Sequence, residues 1–198
     1  MVWTRPQRAG GRVMREYGSN GPREHTMSPL NARAVSMALL GGIAAALFYA
    51  VGLLDWTAFM AWGIFLAAGG DTPALKKVIP AMIFGVFLAW AAMMFRDQID
   101  VAPGSWLWMP RAGVAAGVTL LVMGLAAKVD MLSYLPAALA GFGAVFGAIM
   151  VRIMELDLGQ RLTGMHLYNP FFQVSISMVG GVLIAWLSVK LADSLSKK

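Results

Sequence analysis

The chain has 198 residues, 59% apolar and only 13% charged, with a formal net charge of +6. Soluble domains average roughly 45–50% apolar and about 25% charged residues, so a water-solvated fold is excluded and a bilayer must solvate much of the chain; the mean hydropathy of +0.67 agrees. Cysteine is absent and there are two histidines, which excludes disulfides, thiolate metal sites, a cysteine nucleophile and a histidine-rich metal centre.

Residues 1–32 are rich in Arg, Gly and Pro and show no apolar periodicity. They read as a disordered, basic, cytoplasmic arm, and its arginines suit a lipid surface. Met27 is a second candidate start beside Met1, and the sequence leaves that choice open. Residues 33–198 form a transmembrane domain with six apolar segments, at 35–54, 56–69, 78–95, 112–127, 132–151 and 171–191. No cleavage site follows the first, so it is read as retained. The segments are continuously apolar and do not alternate with period two, which points to helices rather than barrel strands. A spanning helix needs roughly 20 apolar residues. The first, fifth and sixth segments meet that length, whereas the second and fourth are short.

Lys and Arg set the orientation. With the N-terminus inside, the inner side holds the arm's arginines, Arg33, Lys76, Lys77, Lys128, Lys190 and the C-terminal lysines; the outer side holds only Arg96, Arg111, Arg152 and Arg161. Both termini are therefore expected in the cytoplasm. The basic residues are not interleaved with aromatics, so nucleic acid is excluded as a partner.

The third segment contains GVFLAW from Gly85, and the sixth contains GVLIAW from Gly181, 96 residues later. A weaker echo pairs Gly42 and Asp55 with Gly117 and Asp130. Two three-helix halves explain both echoes. Three is odd, so the second half enters the membrane upside down. The expected fold is all-α: a polytopic membrane bundle of six transmembrane helices in a 3+3 inverted repeat.

The run GLLDWTAFMAWGIFLAAGGDTPALKKVIPAMIFGVFLAW at residues 52–90 carries a W-x-x-F phrase (Trp56, Phe59), a Gly-Gly pair (Gly69, Gly70), a short linker with Lys76 and a G-V helix (Gly85, Val86). In these features it resembles the YcdZ-like bacterial inner-membrane family (domain of unknown function 1097). The resemblance covers the first half best. The long basic arm and the polar loop before the last segment depart from the family pattern. It implies a six-span protein of the bacterial inner membrane and transfers no catalytic or ligand residue.

Segment interiors lack Asp, Glu, Lys, Arg and His. Such groups mark proton relays and ion paths within membranes, so a proton-coupled pump and an enzyme are both disfavoured, and no cofactor or metal is expected. Asp55, Asp71 and Asp130 read as helix caps. Gly69 and Gly70 either pack or break the second segment to free backbone carbonyls along a polar path. The pair Gly180 and Gly181, and the GxxxG spacings Gly113/Gly117 and Gly143/Gly147, suit close helix packing or a homo-oligomer. Phe59, Trp62 and Phe65 form a helical stripe. The loop at 153–169 mixes Leu and Met with Glu155, Asp157, Arg161 and His166, which suits a segment lying in the interface or, alternatively, a lid or partner contact, with His166 solvated. The expected function is a passive channel or permease for a small uncharged solute, with Phe59, Trp62, Gly69, Gly70, Gly180 and Gly181 as pore or substrate candidates. The alternative is a non-transporting scaffold or accessory subunit that binds through its glycine faces.

Overall fold

The computed structural model describes residues 27–98, 108–150 and 158–196. The arm as far as residue 26, Trp106, Arg152 and the start of the loop at 153–157 lie outside the described residues. Among those described, the secondary structure is helical throughout: α1 (Pro29–Ala50), α2 (Asp55–Ala67), α3 (Thr72–Gln98), α4 (Trp108–Ala126), a 3₁₀ turn (Asp130–Leu132), α5 (Leu135–Met150), α6 (Leu158–Thr163) and α7 (Pro170–Ser196). Each expected apolar segment forms one helix, and α6 is an addition.

Local chemistry sets the boundaries. Ser28 accepts the Asn31 amide at 3.3 Å and Pro29 opens the helix, a position where its missing N–H costs nothing. This draws residues 29–32, expected in the arm, into α1. Asp71 Oδ1 accepts the Ala74 amide at 2.8 Å and caps α3 as expected. Asp55 instead stands inside the first turn of α2, where Leu54 is the cap without a side-chain bond, and its carboxylate takes the Trp56 amide at 2.7 Å. Asp130 opens the 3₁₀ turn and lies 3.9 Å from Lys77. Asp71→Ala should cost about 1 kcal/mol, to be read as a lowered midpoint in denaturant unfolding.

Three helices are long and apolar enough to cross a membrane: Pro29–Ala50, Thr72–Phe95 and Pro170–Ser196. The fifth segment falls short of its expected 132–151 span. The 3₁₀ turn consumes its start, and α5 has only 16 residues, or about 24 Å at 1.5 Å per residue. With 13 residues, α2 is shorter still, about 20 Å. The α2 length falls below the roughly 30 Å hydrocarbon thickness, as do the described residues of α5.

Leu39, Ile43 and Leu47 on α1, Val114, Val118, Leu121 and Leu125 on α4, and Ile176, Leu183 and Leu187 on α7 are all exposed. They recur at helical spacing, so each helix presents an apolar stripe outward. Apolar patches of this extent are not sustained in water. The chain is a membrane-embedded protein.

The ends of the helices gather at two poles. At the α1 pole, Arg33 and Ser36 meet Gly69, Gly70 and Ser188 around one recess, while Asp130 meets the start of α3. At the opposite α6 pole, Gln173 Nε2 donates to the Gly52 carbonyl at 2.8 Å and the Leu54 amide donates to Ser177 Oγ at 2.9 Å. Trp90, near the end of α3, reaches α6 there. The helices therefore run alternately: α1, α3 and α5 away from the α1 pole, and α2, α4 and α7 towards it.

Packing follows the glycines. A Cβ at Gly181 would overlap the Ala58 carbonyl, and one at Gly85 would overlap the Ala138 carbonyl. So α7 lies backbone-to-backbone on α2, and α3 does the same on α5. At Gly141 a Cβ would strike the Met82 carbonyl. Val78, Met82, Val86 and Ala89 on α3 are buried, as are Val174, Met178, Val182 and Ala185, each 96 residues further on, on α7. Thr57, Ala58, Ala61 and Phe65 on α2 match the buried Ala137, Ala138, Gly141 and Val145 on α5, 80 residues further on. The centre is apolar, with Phe65, Met82, Val86, Val145, Met178 and Val182 almost fully enclosed.

Candidate functional site

At the α1 pole the end of α2 meets α1 and α7 around a depression. Gly69 and Gly70 turn the chain there with φ of 117° and 68°, values that only glycine adopts without strain. The Gly70 amide donates to the Phe65 carbonyl at 3.0 Å and the Gly69 amide to Leu66 at 3.1 Å. This is a helix-ending turn that satisfies terminal carbonyls. The glycine pair thus terminates α2 rather than interrupting it and freeing carbonyls along its length.

The depression is a recess of about 250 Å³. Arg33 and Ser36 from α1, Trp62, Gly69 and Gly70 from the α2 side, and Ser188 from α7 line it, with Met37, Leu66 and Val189 as apolar wall. Ser36 and Ser188 are both buried, their hydroxyl oxygens 3.1 Å apart. Ser36 also donates to the Arg33 carbonyl at 2.9 Å. A hydroxyl has one proton, so Ser188 must donate to Ser36, and its own lone pairs are left for a donor from the recess. Trp62 is buried, and its indole N–H meets no acceptor among the described residues. The recess therefore combines acceptor capacity, a donor in its wall and one exposed guanidinium, and no carboxylate lines it.

Three of the six residues expected at a pore or substrate site, Trp62, Gly69 and Gly70, converge here. The other three lie elsewhere. Phe59 is half-exposed on the outer side of α2, 6.3 Å from the Trp62 ring, and faces Gly41 of α1. Gly180 receives the ring of Phe48, and Gly181 meets Ala58; both are packing positions. Ser36 and Ser188 were missed because the sequence reading sought ionisable groups, and serines 152 residues apart carry no local pattern.

At the α6 pole the corresponding space is filled. Of the loop at 153–169, residues 158–169 are described, and there α6 packs against α3 and α7 at the end of the bundle. Leu162 and Arg161 are buried. Arg161 Nη2 donates to the Ala148 carbonyl, in the last turn of α5, at 3.1 Å. Trp90 Nε1 donates to the Leu162 carbonyl at 3.0 Å, and Asn169 Nδ2 donates to the Leu162 and Gly164 carbonyls, each at 2.9 Å. Cations suit helix C-termini, where unpaired carbonyls leave partial negative charge. Burial lowers the Arg161 pKa from its ordinary value, but arginine keeps its proton in proteins. His166, expected to be solvated, is half-buried with Nε2 3.3 Å from the Gln160 carbonyl.

Neither the curated proteins nor the solved structures contain a match to this chain. The sequence pattern of one family, described as "Protein of unknown function (DUF1097)", matches residues 34–193, a stretch that runs from the first turns of α1 almost to the end of α7 and takes in α6 and every residue lining the recess except Arg33. With most of its length inside that match, the chain belongs to the DUF1097 family.

Proposed function

We propose that this protein is a passive permease for a small uncharged polar solute, with the recess at the α1 pole open and the α6 pole closed. The observation that carries this reading is the recess itself. It is a polar, carboxylate-free pocket sunk into an apolar bundle, beside a buried serine pair with unused acceptor capacity. The apolar centre argues against a standing pore, so solute would cross when the two closures exchange. The glycine-to-carbonyl contacts of α2 with α7 and of α3 with α5 offer smooth surfaces for such movement. No catalytic step and no cofactor belong to this reading.

The same reading takes the six longer helices as spans arranged in two inverted triplets, α1–α3 and α4, α5, α7. Its support is the paired contact pattern: Gly85 against Ala138 in one place, Gly181 against Ala58 in the other, with burial recurring at constant offsets. We take both termini as cytoplasmic in a bacterial inner membrane, because Arg33, Lys76, Lys77, Lys128 and Lys190 gather at the α1 pole, with Arg111 and Arg161 at the other.

The test is stopped-flow shrinkage of proteoliposomes against a panel of neutral solutes. At least one solute should equilibrate faster than through empty liposomes. Ser36→Ala and Ser188→Ala should each slow that flux about fivefold, the worth of one hydrogen bond, and each should lower Tm by only about 2–4 °C, the cost of the same buried bond in stability. Equal rates with and without protein across the panel would reject the permease.

One observation favours the scaffold as a second reading. Gly113, Gly117 and Gly124 on α4 face open space, as they would if a second copy packed there. Cross-linking at Gly117→Cys, in bilayers, separates that reading from a monomeric carrier.

A further inference from the structure

The first turns of α3 and the 3₁₀ turn enclose a second hollow, an open groove of about 580 Å³ that shares no lining residue with the recess. We propose that this groove binds an anionic glycerophospholipid, with one acyl chain along its apolar wall and the phosphate at Lys76.

Its chemistry is split along its length. Ile79, Pro80 and Met131 make an apolar wall, while Lys76, Lys77 and Asp130 stand at its polar edge. The edge belongs to the start of a helix long enough to cross a membrane. In a bilayer that places the lysines at headgroup depth and directs the wall into the hydrocarbon. Basic pockets in this position bind anionic headgroups. Asp130 engages Lys77, at 3.9 Å. Lys76 is exposed, and among the described residues it has no ion-pair partner. Pro80 also lacks the amide that would otherwise meet the Lys76 carbonyl one turn back.

The dimensions favour a lipid over a protein helix. From Pro73 to Pro80 the groove follows two turns of α3, about 11 Å. A partner helix with side chains is about 10–12 Å across and would find no seam of useful length. A single acyl chain, by contrast, can lie in so short a track. A choline headgroup would set its trimethylammonium near Lys76, whereas phosphatidylglycerol presents only the phosphate charge. The proposal stands independently of the permease reading.

Native mass spectrometry of the full chain tests it, with phosphatidylglycerol and phosphatidylcholine of identical acyl chains added together. Phosphatidylglycerol should be retained preferentially. Lys76→Ala should lower its retention about fivefold, one lysine's contribution near a membrane surface. Lys190→Ala removes the same charge from the same pole and should leave retention unchanged. Met131→Ser, at an exposed position that does not threaten folding, should lower retention of both lipids, and soluble glycerol phosphate should displace neither. The proposal is overturned by equal retention of the two lipids, by an equal loss for Lys76→Ala and Lys190→Ala, by an unaltered Met131→Ser protein, or by displacement with glycerol phosphate.

Discussion

Gly181→Ala is expected to destabilise the bundle by about 3 kcal/mol, the upper part of the usual range for overpacking. The added methyl would overlap the Ala58 carbonyl. That atom belongs to the α2 backbone and cannot rotate away as a side-chain tip can, so α2 and α7 must move apart along their whole contact. Gly85→Ala should behave alike, because its methyl meets the Ala138 carbonyl of α5. At roughly 2–4 °C per kcal/mol for a chain of this size, each variant should lose roughly 6–12 °C in Tm. Gly113→Ala supplies the opposite sign. It faces open space on α4, so the methyl meets nothing and the gain in helix propensity, about 0.5–1 kcal/mol, should raise Tm slightly. Thermal unfolding in one detergent compares all three. Equal effects for Gly85, Gly181 and Gly113 would mean that the two interfaces are looser than described here.

Replacing Arg161 should have the next largest effect. Its guanidinium donates to the Ala148 carbonyl from a buried position, and a charge-assisted hydrogen bond contributes about 1.5–3 kcal/mol. Arg161→Met keeps much of the side-chain volume and removes the charge and the bond. We expect a loss of about 2 kcal/mol, concentrated in the docking of α6 rather than in the bundle. Amide hydrogen exchange should therefore accelerate in residues 158–163 while α3 and α7 keep their protection. Arg161→Lys should recover only part of the loss, since an ammonium lacks the planar fork. The depressed pKa carries a sign. A base whose pKa falls on folding adds stability only above that lowered value, and loses it as pH falls. Arginine's range lies above ordinary conditions, so stability should be flat in this respect from pH 5 to pH 9. Under the permease reading, loosening α6 should also raise solute flux, which the proteoliposome assay would record.

The phrases GVFLAW and GVLIAW were legible as likenesses of sequence, and their two glycines, Gly85 and Gly181, both sit at backbone-to-backbone helix contacts. Asp71 was legible as a cap, because capping depends on residues three apart in the chain. Segment five was read too long. Hydropathy does not register the 3₁₀ turn at Asp130–Leu132, where the residues stay apolar but the backbone tightens. Arg161 was read as belonging to a loop along the interface, since nothing local explains why a buried guanidinium is tolerated. The explanation is the Ala148 carbonyl, 13 residues away. The Ser36–Ser188 pair was invisible for the same reason at a greater separation.

Composition and period, which act over a few neighbouring residues, determined the solvent of this chain and the helical state of its apolar segments. Both follow from the cost of leaving apolar surface in water and backbone amides unpaired in lipid. Only the tertiary structure decided that Ser36, Trp62 and Ser188 share one recess and that Arg161 is buried against the Ala148 carbonyl. Both rest on contacts made by residues well separated in the chain.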